Sequence, residues 1–306
     1  MGLTPISTLT FFFVSQVGML LGTAVYVNAG VEISKISSLS GILSPSLILS
    51  FSLLGLVPII SKRVIAFFKA QKVYRGLKKP KSYDYNMISI GAGAGGLVTS
   101  YIGSAVNAKV ALIEKHKMGG DCLNYGCVPS KALIKSAKVM ALSRNSQKYG
   151  IDKVEVNFSF EKVMDRVQTV IKKIEPHDSI ERYTKLGVDC IEGAAKILSP
   201  WEVEVNGKVL TTKNITISTG ARPFVPPIPG IQDADYLVSD NLWDIKELPA
   251  NFIVLGGGPI GLEMAQSFAR FGSKVTVVEM SERIMIKEDI DVSEVITKKL
   301  ESEGVK

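Results

Sequence analysis

Cysteine and histidine are scarce in this chain of 306 residues, which has three cysteines and two histidines. A secreted disulfide scaffold needs more cysteines, and a structural zinc site needs four Cys or His ligands. Cys122 and Cys127 form one close pair, but Cys190 and the histidines do not supply a second. The scarcity therefore indicates a reducing compartment and one working dithiol, with a structural disulfide and a metal site as the alternatives.

Lysine and arginine are absent from residues 1–31, and the run 9–27 is apolar apart from scattered small or polar residues. A bilayer is crossed by roughly 20 such residues. A cleaved signal peptide would need positive charge ahead of its apolar core, and none precedes Lys35. A second uncharged run covers 36–61. Residues 1–61 are therefore predicted to form a two-helix transmembrane segment, with two buried helices of a soluble protein as the alternative.

Acidic residues are absent from the next stretch, which carries many cations. These are Lys62, Arg63, Lys69, Lys72, Arg75, Lys78, Lys79 and Lys81. Together they exceed the formal net charge of +7, so the basic balance is local and does not predict a nucleic-acid partner. Positive charge beside a membrane span stays on the cytoplasmic side. Residues 62–83 are predicted to be a basic juxtamembrane linker, with the lipid bilayer as a partner and the rest of the chain in the cytoplasm.

A glycine-rich turn follows the predicted strand 86–90. In the pattern G-x-G-x-x-G, the first glycine allows a tight bend, the second lets the backbone approach a pyrophosphate, and the third lets the helix pack on the strand. Gly91, Gly93 and Gly96 occupy these positions, and the next predicted strand ends at Glu114. A carboxylate there is placed to bond a ribose hydroxyl, so the segment is predicted to bind a dinucleotide.

The same pattern recurs with Gly256, Gly258 and Gly261, and its acid, Glu279, follows at the same interval from the first glycine. A carboxylate at this position bonds the 2′-hydroxyl of NAD and repels the 2′-phosphate of NADP. NADH is therefore predicted for this site in preference to NADPH. The fold class predicted is α/β, with two Rossmann-like dinucleotide-binding domains preceded by the two-helix transmembrane segment.

The dithiol lies in the stretch GGDCLNYGCVPSK, which begins at Gly119 and leads into a helix-forming run. Pro129 suits the first turn of a helix, and a thiolate held at a helix N-terminus has a lowered pKa. This stretch resembles the active-site signature of the pyridine nucleotide-disulfide oxidoreductases, the family of dihydrolipoamide dehydrogenase, glutathione reductase and mercuric reductase. The resemblance implies FAD in the first dinucleotide site, beside the dithiol, and a nicotinamide nucleotide in the second.

The resemblance also implies roles for individual residues. Cys127 is expected to be the flavin-proximal charge-transfer thiol and Cys122 the interchange thiol that attacks the acceptor. Lys131 is expected near flavin N5, paired with Glu263, where its ammonium would stabilise negative charge on the reduced flavin, with a solvated lysine as the alternative. Further cofactor contacts are expected at Gly120, Ala195, Thr219 and Gly220.

The remaining reactive side chains are interpreted as structural. His116 and His177 do not lie where the family places its catalytic base, and Cys190 lies in a predicted strand. No residue is predicted to bind a metal.

Two domains are predicted after the linker: 84–225, which binds FAD and holds the dithiol, and 226–306, an incomplete NAD-binding domain. The family's base is a His-Glu pair near the C-terminus, donated across a dimer interface, so a homodimer is expected for a full-length member. The chain ends at Lys306, before such a pair. We therefore expect it to bind FAD poorly and to turn over little.

The apolar stretch 18–30 resembles the C-terminal end of a DedA-like (VTT) membrane domain. The whole chain is therefore predicted to be a multi-pass protein of a bacterial inner membrane, with its flavoprotein part facing the cytoplasm. It would pass electrons from NADH through FAD to the disulfide between Cys122 and Cys127, and then to a disulfide or metal-ion acceptor. The alternative is a DedA-like membrane protein whose flavoprotein part senses redox state without catalysis.

Overall fold

The computed structural model describes residues 7–34 and 45–306, and the chain divides into two compact units, Met1–Lys78 and Lys79–Lys306. The helices are α1 (Thr8–Ser34), α2 (Pro45–Val73), α3 (Ala94–Ala105), α4 (Gly120–Asn124), α5 (Cys127–Arg144), α6 (Phe160–Ile174), α7 (Ile180–Lys185), α8 (Pro259–Phe271) and α9 (Ile290–Ser302). The strands are β1 (Tyr85–Ile90), β2 (Val110–Glu114), β3 (Val188–Glu192), β4 (Lys196–Ser199), β5 (Glu202–Val205), β6 (Lys208–Ile217), β7 (Asn251–Leu255) and β8 (Lys274–Val278).

In the first unit the described residues form two long helices, α1 and α2, which pack against each other. Among the helices in the described ranges, none alone is long and apolar enough to cross a membrane. The two halves of α1, Thr8–Leu20 and Gly22–Ser34, meet at a 40° bend and reach that length and apolar character only together. The predicted two-helix transmembrane segment is therefore not supported. Part of its second run, 36–44, lies outside the described residues.

Helix α2 also continues into the stretch predicted to be a linker. It begins at Pro45 and ends at Val73, so residues 62–73 are helical. This stretch has no glycine or proline before Gly76, which allows the helix of the uncharged run to extend into the basic one.

The second unit is built on a six-stranded sheet with the order β3-β2-β1-β6-β5-β4. The strands β3, β2, β1 and β6 are parallel, and β4 and β5 are added antiparallel. In the parallel part Ile90 pairs with Ile113 on one side and with Ile217 on the other, so the carboxyl ends of three strands meet at one edge. This is the edge at which dinucleotides bind in such sheets. The α/β class is confirmed.

Strand β6 is one element of ten residues, whereas the sequence predicts two strands, 208–210 and 214–218. Its first half pairs with β5 and its second half with β1, so the polar residues between the two halves remain in the ladder. The carboxylate of Asp84 adds support, because it accepts hydrogen bonds from the backbone and hydroxyl of Thr211 at 2.8 Å each.

Strands β7 and β8 form a separate parallel pair, on which α8 packs. The ring of Phe268 in α8 stacks on Phe252 of β7 at 4.3 Å and contacts Phe160 of α6 at 5.8 Å, measured between centroids. The same buried cluster includes Leu133 of α5. The second dinucleotide segment therefore shares one core with α5 and α6, which follow the dithiol in sequence.

Candidate active site

The first glycine turn is packed tightly against the sheet. A Cβ atom on Gly96 would lie 1.7 Å from the carbonyl oxygen of Gly91, and one on Gly91 would lie 2.2 Å from that of Ser218. Gly91 also has φ +100°, a value that other residues rarely adopt. These two glycines are therefore required by the close approach of the turn to α3 and to the end of β6.

The turn brings together three segments that are distant in sequence. The Cα of Thr219 lies 3.2 Å from the Cβ position of Gly91, so the predicted Thr219-Gly220 turn adjoins the first glycine. A Cβ on Gly120 would lie 2.5 Å from the Cα of Gly93, so the start of α4 touches the middle glycine. The glycine turn, the segment after β6 and the dithiol segment thus form one site.

The strand-end carboxylates hold their own turns. Oε2 of Glu114 accepts a hydrogen bond from the backbone N–H of Ala92 at 2.6 Å, and its Oε1 accepts one from the backbone N–H of His116 at 2.8 Å. The second carboxylate repeats this arrangement. Oε2 of Glu279 accepts a hydrogen bond from the backbone N–H of Gly257 at 2.6 Å, and its Oε1 accepts one from the backbone N–H of Ser281 at 2.7 Å. The sequence repeat is therefore also a repeat of hydrogen bonds.

These hydrogen bonds stabilise the charged form of Glu279. The backbone N–H groups of Ser281 and Gly257 lower the pKa of its carboxyl group to about 2. The carboxylate is therefore charged throughout the physiological pH range. A negative charge at this point attracts hydroxyl donors and repels a phosphate.

The second glycine turn has one crowded and one open position. A Cβ on Gly261 would lie 2.5 Å from the carbonyl oxygen of Gly256, whereas a Cβ on Gly258 would have no heavy atom within 4 Å. Gly258 precedes the first residue of α8 and has an ordinary φ of −82°. The packing of the chain therefore does not require a glycine at position 258. The absence of a side chain at Gly258 instead keeps the space in front of the helix open.

Both turns fit the pyrophosphate of a dinucleotide. Gly93 and Gly258 precede α3 and α8, and neither helix has a side-chain cap on its first turn. The N–H groups of a helix's first turn lack partners within the helix and carry partial positive charge, which suits a phosphate. FAD would be held by the turn of Gly93 with Glu114, and the nicotinamide nucleotide by the turn of Gly258 with Glu279.

The two cysteines lie on consecutive helices. Cys122 is half-buried in α4, and Cys127 is exposed as the first residue of α5. Both are free thiols. Burial, the neighbouring thiol of Cys127 and, to a smaller extent, the charge of Asp178 together raise the pKa of Cys122 to about 11. Cys122 therefore departs from the expectation of a lowered pKa, because it is not at the start of the long helix.

Lys131 lies one turn after Cys127 on α5, and so the two side chains share a face of the helix. Its Nζ lies 2.7 Å from both carboxylate oxygens of Glu263, which is on α8. The pairing expected for these residues is thus present in the structure. The two side chains are 60% and 39% exposed, so solvent screens the pair and it adds little to stability.

Two side chains that the sequence analysis did not single out support the dithiol segment. Nε1 of Trp243 donates to the carbonyl of Tyr125, between the cysteines, at 2.8 Å. Nδ2 of Asn124 donates to the carbonyls of Met118 and Gly120 at 3.0 and 2.8 Å. Asn124 lies inside the signature, so its polar side chain was a signal. Trp243 is far away in sequence and gave none.

The other candidate residues lie outside this cluster. Ala195 packs against the core beside β5, and its proposed contact with the adenine remains a prediction. His116 and Cys190 line a small cavity beside Glu114, and His177 is exposed. Within the described part of the chain, no group of three or more His, Cys, Asp or Glu side chains could hold a metal ion.

The profile of the family described as pyridine nucleotide-disulphide oxidoreductase matches residues 85–306. The chain belongs to this family. The match begins at β1 and covers both glycine turns and the dithiol, so the family resemblance drawn from the sequence is confirmed. No comparison shows the DedA-like membrane domain.

Curated and solved relatives agree with this assignment. Dihydrolipoyl dehydrogenase of Acholeplasma laidlawii is 39% identical over 229 residues, which cover 73% of this chain and 68% of that protein. Mercuric reductase of Bacillus cereus is 35% identical over 224 residues, which cover 73% and 36%. The structure of HOCl-induced flavoprotein disulfide reductase RclA from Escherichia coli matches with a TM-score of 0.61 and 31% identity over 72% of this chain and 48% of that one.

These relatives are oxidoreductases, and oxidoreductases of this type use FAD and NAD(P)H. The predictions of an oxidoreductase and of its cofactors are therefore confirmed at the level of the family. The chain spans between about one third and two thirds of the length of the relatives named here.

Proposed function

We propose that the chain is the electron-transferring part of a membrane-tethered, FAD-dependent oxidoreductase. It takes electrons from NADH, passes them to the Cys122–Cys127 pair, and delivers them to a disulfide or metal-ion acceptor. The observation that supports this most is the contact between Gly120 and Gly93, because it joins the dithiol helix to the turn that fits a dinucleotide phosphate. The two cysteines also lie on the consecutive helices α4 and α5, and Cys127 is one of the groups that raise the pKa of Cys122.

The chemistry divides between the cofactor and the chain's own residues. When bound, FAD takes a hydride equivalent from NADH and supplies two electrons to the disulfide. With two protons, the disulfide becomes two thiols. The thiolate of Cys122 then attacks an acceptor disulfide and displaces one thiol, and the thiolate of Cys127 attacks the mixed disulfide and releases the second. Lys131 supplies positive charge beside Cys127, and Glu263 fixes its position.

NADH is the proposed donor because Glu279 is charged at neutral pH and is fixed by two backbone hydrogen bonds. A fixed carboxylate favours the 2′-hydroxyl and repels the 2′-phosphate. The family is generally homodimeric, and a homodimer is proposed for the complete protein. The proposed location is a bacterial inner membrane. The apolar parts of helices α1 and α2 would attach the chain to that membrane, with the family domain in the cytoplasm.

The test counts thiols in a single turnover and so does not depend on the acceptor. The oxidised chain, supplied with excess FAD, should expose one thiol to a disulfide reagent under denaturing conditions, that of Cys190. Anaerobic NADH should raise the count to three, and NADPH should do so at least tenfold more slowly. Cys122→Ser and Cys127→Ser should each abolish the NADH-dependent gain.

Cys190→Ser is the matched control, because it removes a thiol outside the dithiol segment. This variant should start at zero thiols and still gain two with NADH. Oxidation of NADH without a gain of thiols would refute the dithiol as the electron carrier. A faster reaction with NADPH would refute only the assignment of the nucleotide.

A further inference from the structure

The last turns of α2 carry cationic and apolar side chains on different faces. Lys62 and Lys69 are seven residues apart, two helical turns, and share one face. Val64, Phe67 and Phe68 are spaced i, i+3 and i+4, and therefore share another. At about 100° per residue, these two faces point in roughly opposite directions. The segment is thus an amphipathic helix with a basic polar face.

The apolar face is exposed within the part of α2 that the structure describes. Val64 is 46% exposed, Phe67 59% and Phe68 63%, although aromatic side chains of this size are mostly covered in soluble domains. The rings of Phe67 and Phe68 meet edge to face, with centroids 5.9 Å apart, and so form one apolar patch. Such a contiguous patch marks a surface that another body covers.

The charges on and after this helix have one sign. The side chains of Lys62, Arg63 and Lys69 are exposed, and residues 62–81 include no acidic residue. The exposed cations continue beyond the helix, at Arg75, Lys78, Lys79 and Lys81. A partner that covers this surface therefore has to supply negative charge beside apolar groups.

We propose that the end of α2 and the following basic residues, 62–81, bind the surface of a membrane that contains anionic phospholipid. Headgroup phosphates match the cations, and the acyl boundary accepts Val64, Phe67 and Phe68. A nucleic acid would match the cations but offers no apolar counterpart for the aliphatic side chains exposed earlier on α2, such as Leu56 and Ile59. The inference deepens the proposed membrane location, but it requires no helix that spans the bilayer.

The test measures protection of this segment from trypsin, which cuts after lysine and arginine. The full chain is mixed with vesicles of phosphatidylcholine alone or with added phosphatidylglycerol, and cleavage at Arg75, Lys78 and Lys81 is followed by mass spectrometry. Cleavage should be at least tenfold slower with phosphatidylglycerol at low salt. The protection should disappear at about 1 M salt, where the screening length falls to roughly 3 Å. Cleavage at Lys172 on α6 is the internal control and should not change.

Two triple variants separate local from general charge effects. Lys62→Gln, Arg63→Gln and Lys69→Gln together should weaken the binding to anionic vesicles roughly 100-fold, because each cation near such a surface strengthens it about fivefold. The matched control replaces Lys138, Lys172 and Lys173 by Gln and should leave the protection unchanged.

Other outcomes would overturn the inference in distinguishable ways. Equal cleavage with both kinds of vesicle would refute the recognition of anionic headgroups. In that case, flotation of the chain with both kinds of vesicle in a density gradient would show membrane attachment without recognition of anionic headgroups. Flotation with neither would refute the proposed membrane location as well. Protection of residues 62–81 by an RNA oligonucleotide without vesicles, stronger than that by phosphatidylglycerol, would assign the surface to nucleic acid.

Discussion

The protonation of Cys122 is controlled by residues from three parts of the chain. Burial, the neighbouring thiol of Cys127 and the charge of Asp178 together raise the pKa of its thiol to about 11. A thiol with a raised pKa is protonated at neutral pH and is a slow nucleophile until a base removes its proton. The site therefore requires a base for the attack on an acceptor.

Replacing Asp178 by Asn should lower the pKa of Cys122, because it removes a negative charge that disfavours the thiolate. In the reduced chain, alkylation of Cys122 by iodoacetamide should then become a few-fold faster at mildly alkaline pH, as measured by mass spectrometry of its peptide. Asp165→Asn changes the charge at an exposed position of α6 and should leave the alkylation profile as it was. An unchanged profile in Asp178→Asn would show that the charge of Asp178 does not contribute, and would leave burial and Cys127 as the causes of the raised pKa.

The sequence predicted some of these residues and not others, for a physical reason. Lys131 and Glu263 were predicted together because both lie in local motifs, and the structure places them 2.7 Å apart. Asp178 and Trp243 lie in no motif. Their influence on the dithiol depends on how the segment after α6 and the segment before β7 fold back on it, which local patterns do not encode.

Two glycines of the second glycine turn, Gly261 and Gly258, differ in the space around them. Gly261→Ala should reduce stability by about 1–3 kcal/mol, since its Cβ would meet the carbonyl oxygen of Gly256 at 2.5 Å. Gly258→Ala should leave the melting temperature within a degree or two, because no atom lies within 4 Å of its Cβ. It should instead weaken NADH binding at least tenfold, since the methyl group occupies the approach to α8.

Melting curves and NADH titrations of the two variants test this contrast. Gly258→Ala with a lowered melting temperature and normal NADH affinity would show that the open space beside it is not a phosphate site.

Element boundaries were predictable where periodic patterns were strong. Apolar residues at helical spacing predict a helix over 160–174, and the run before Glu279 predicts a strand over 274–278; these bounds coincide with α6 and β8. The helix α7, of six residues, and the edge strand β4, of four, were missed. Such short elements carry too few residues for a period to be visible, and β4 exists because β5 offers it a pairing partner.

At the scale of the whole molecule, the clusters of buried apolar residues in the described part of the chain all lie in the second unit. The three clusters of buried apolar residues are contained in residues 85–305. Residues 79–306 should therefore fold without the first unit and unfold with the melting temperature of the same domain in the full chain. Circular dichroism during heating measures both.

A shorter fragment, 79–250, provides the control for this prediction. It lacks α8 and therefore Phe268 and Phe271, which contact Phe160 on α6 at 5.8 Å each. Removing such core rings costs several kcal/mol, so this fragment should be much less stable. Equal stability of the two fragments would mean that the shared core contributes little.

The double hydrogen bond of each strand-end carboxylate limits how coenzyme preference can be re-engineered. In the proposed function, Glu279 binds the ribose hydroxyl. It also holds the phosphate-binding loop in place, because it accepts hydrogen bonds from the N–H groups of Gly257 and Ser281. A replacement of Glu279 chosen only to accommodate a 2′-phosphate would remove the negative charge of its carboxylate and, at the same time, the hydrogen bonds that hold the loop. Conversion to NADPH use therefore calls for a residue that restores those two acceptor contacts, or for compensating changes in the loop itself.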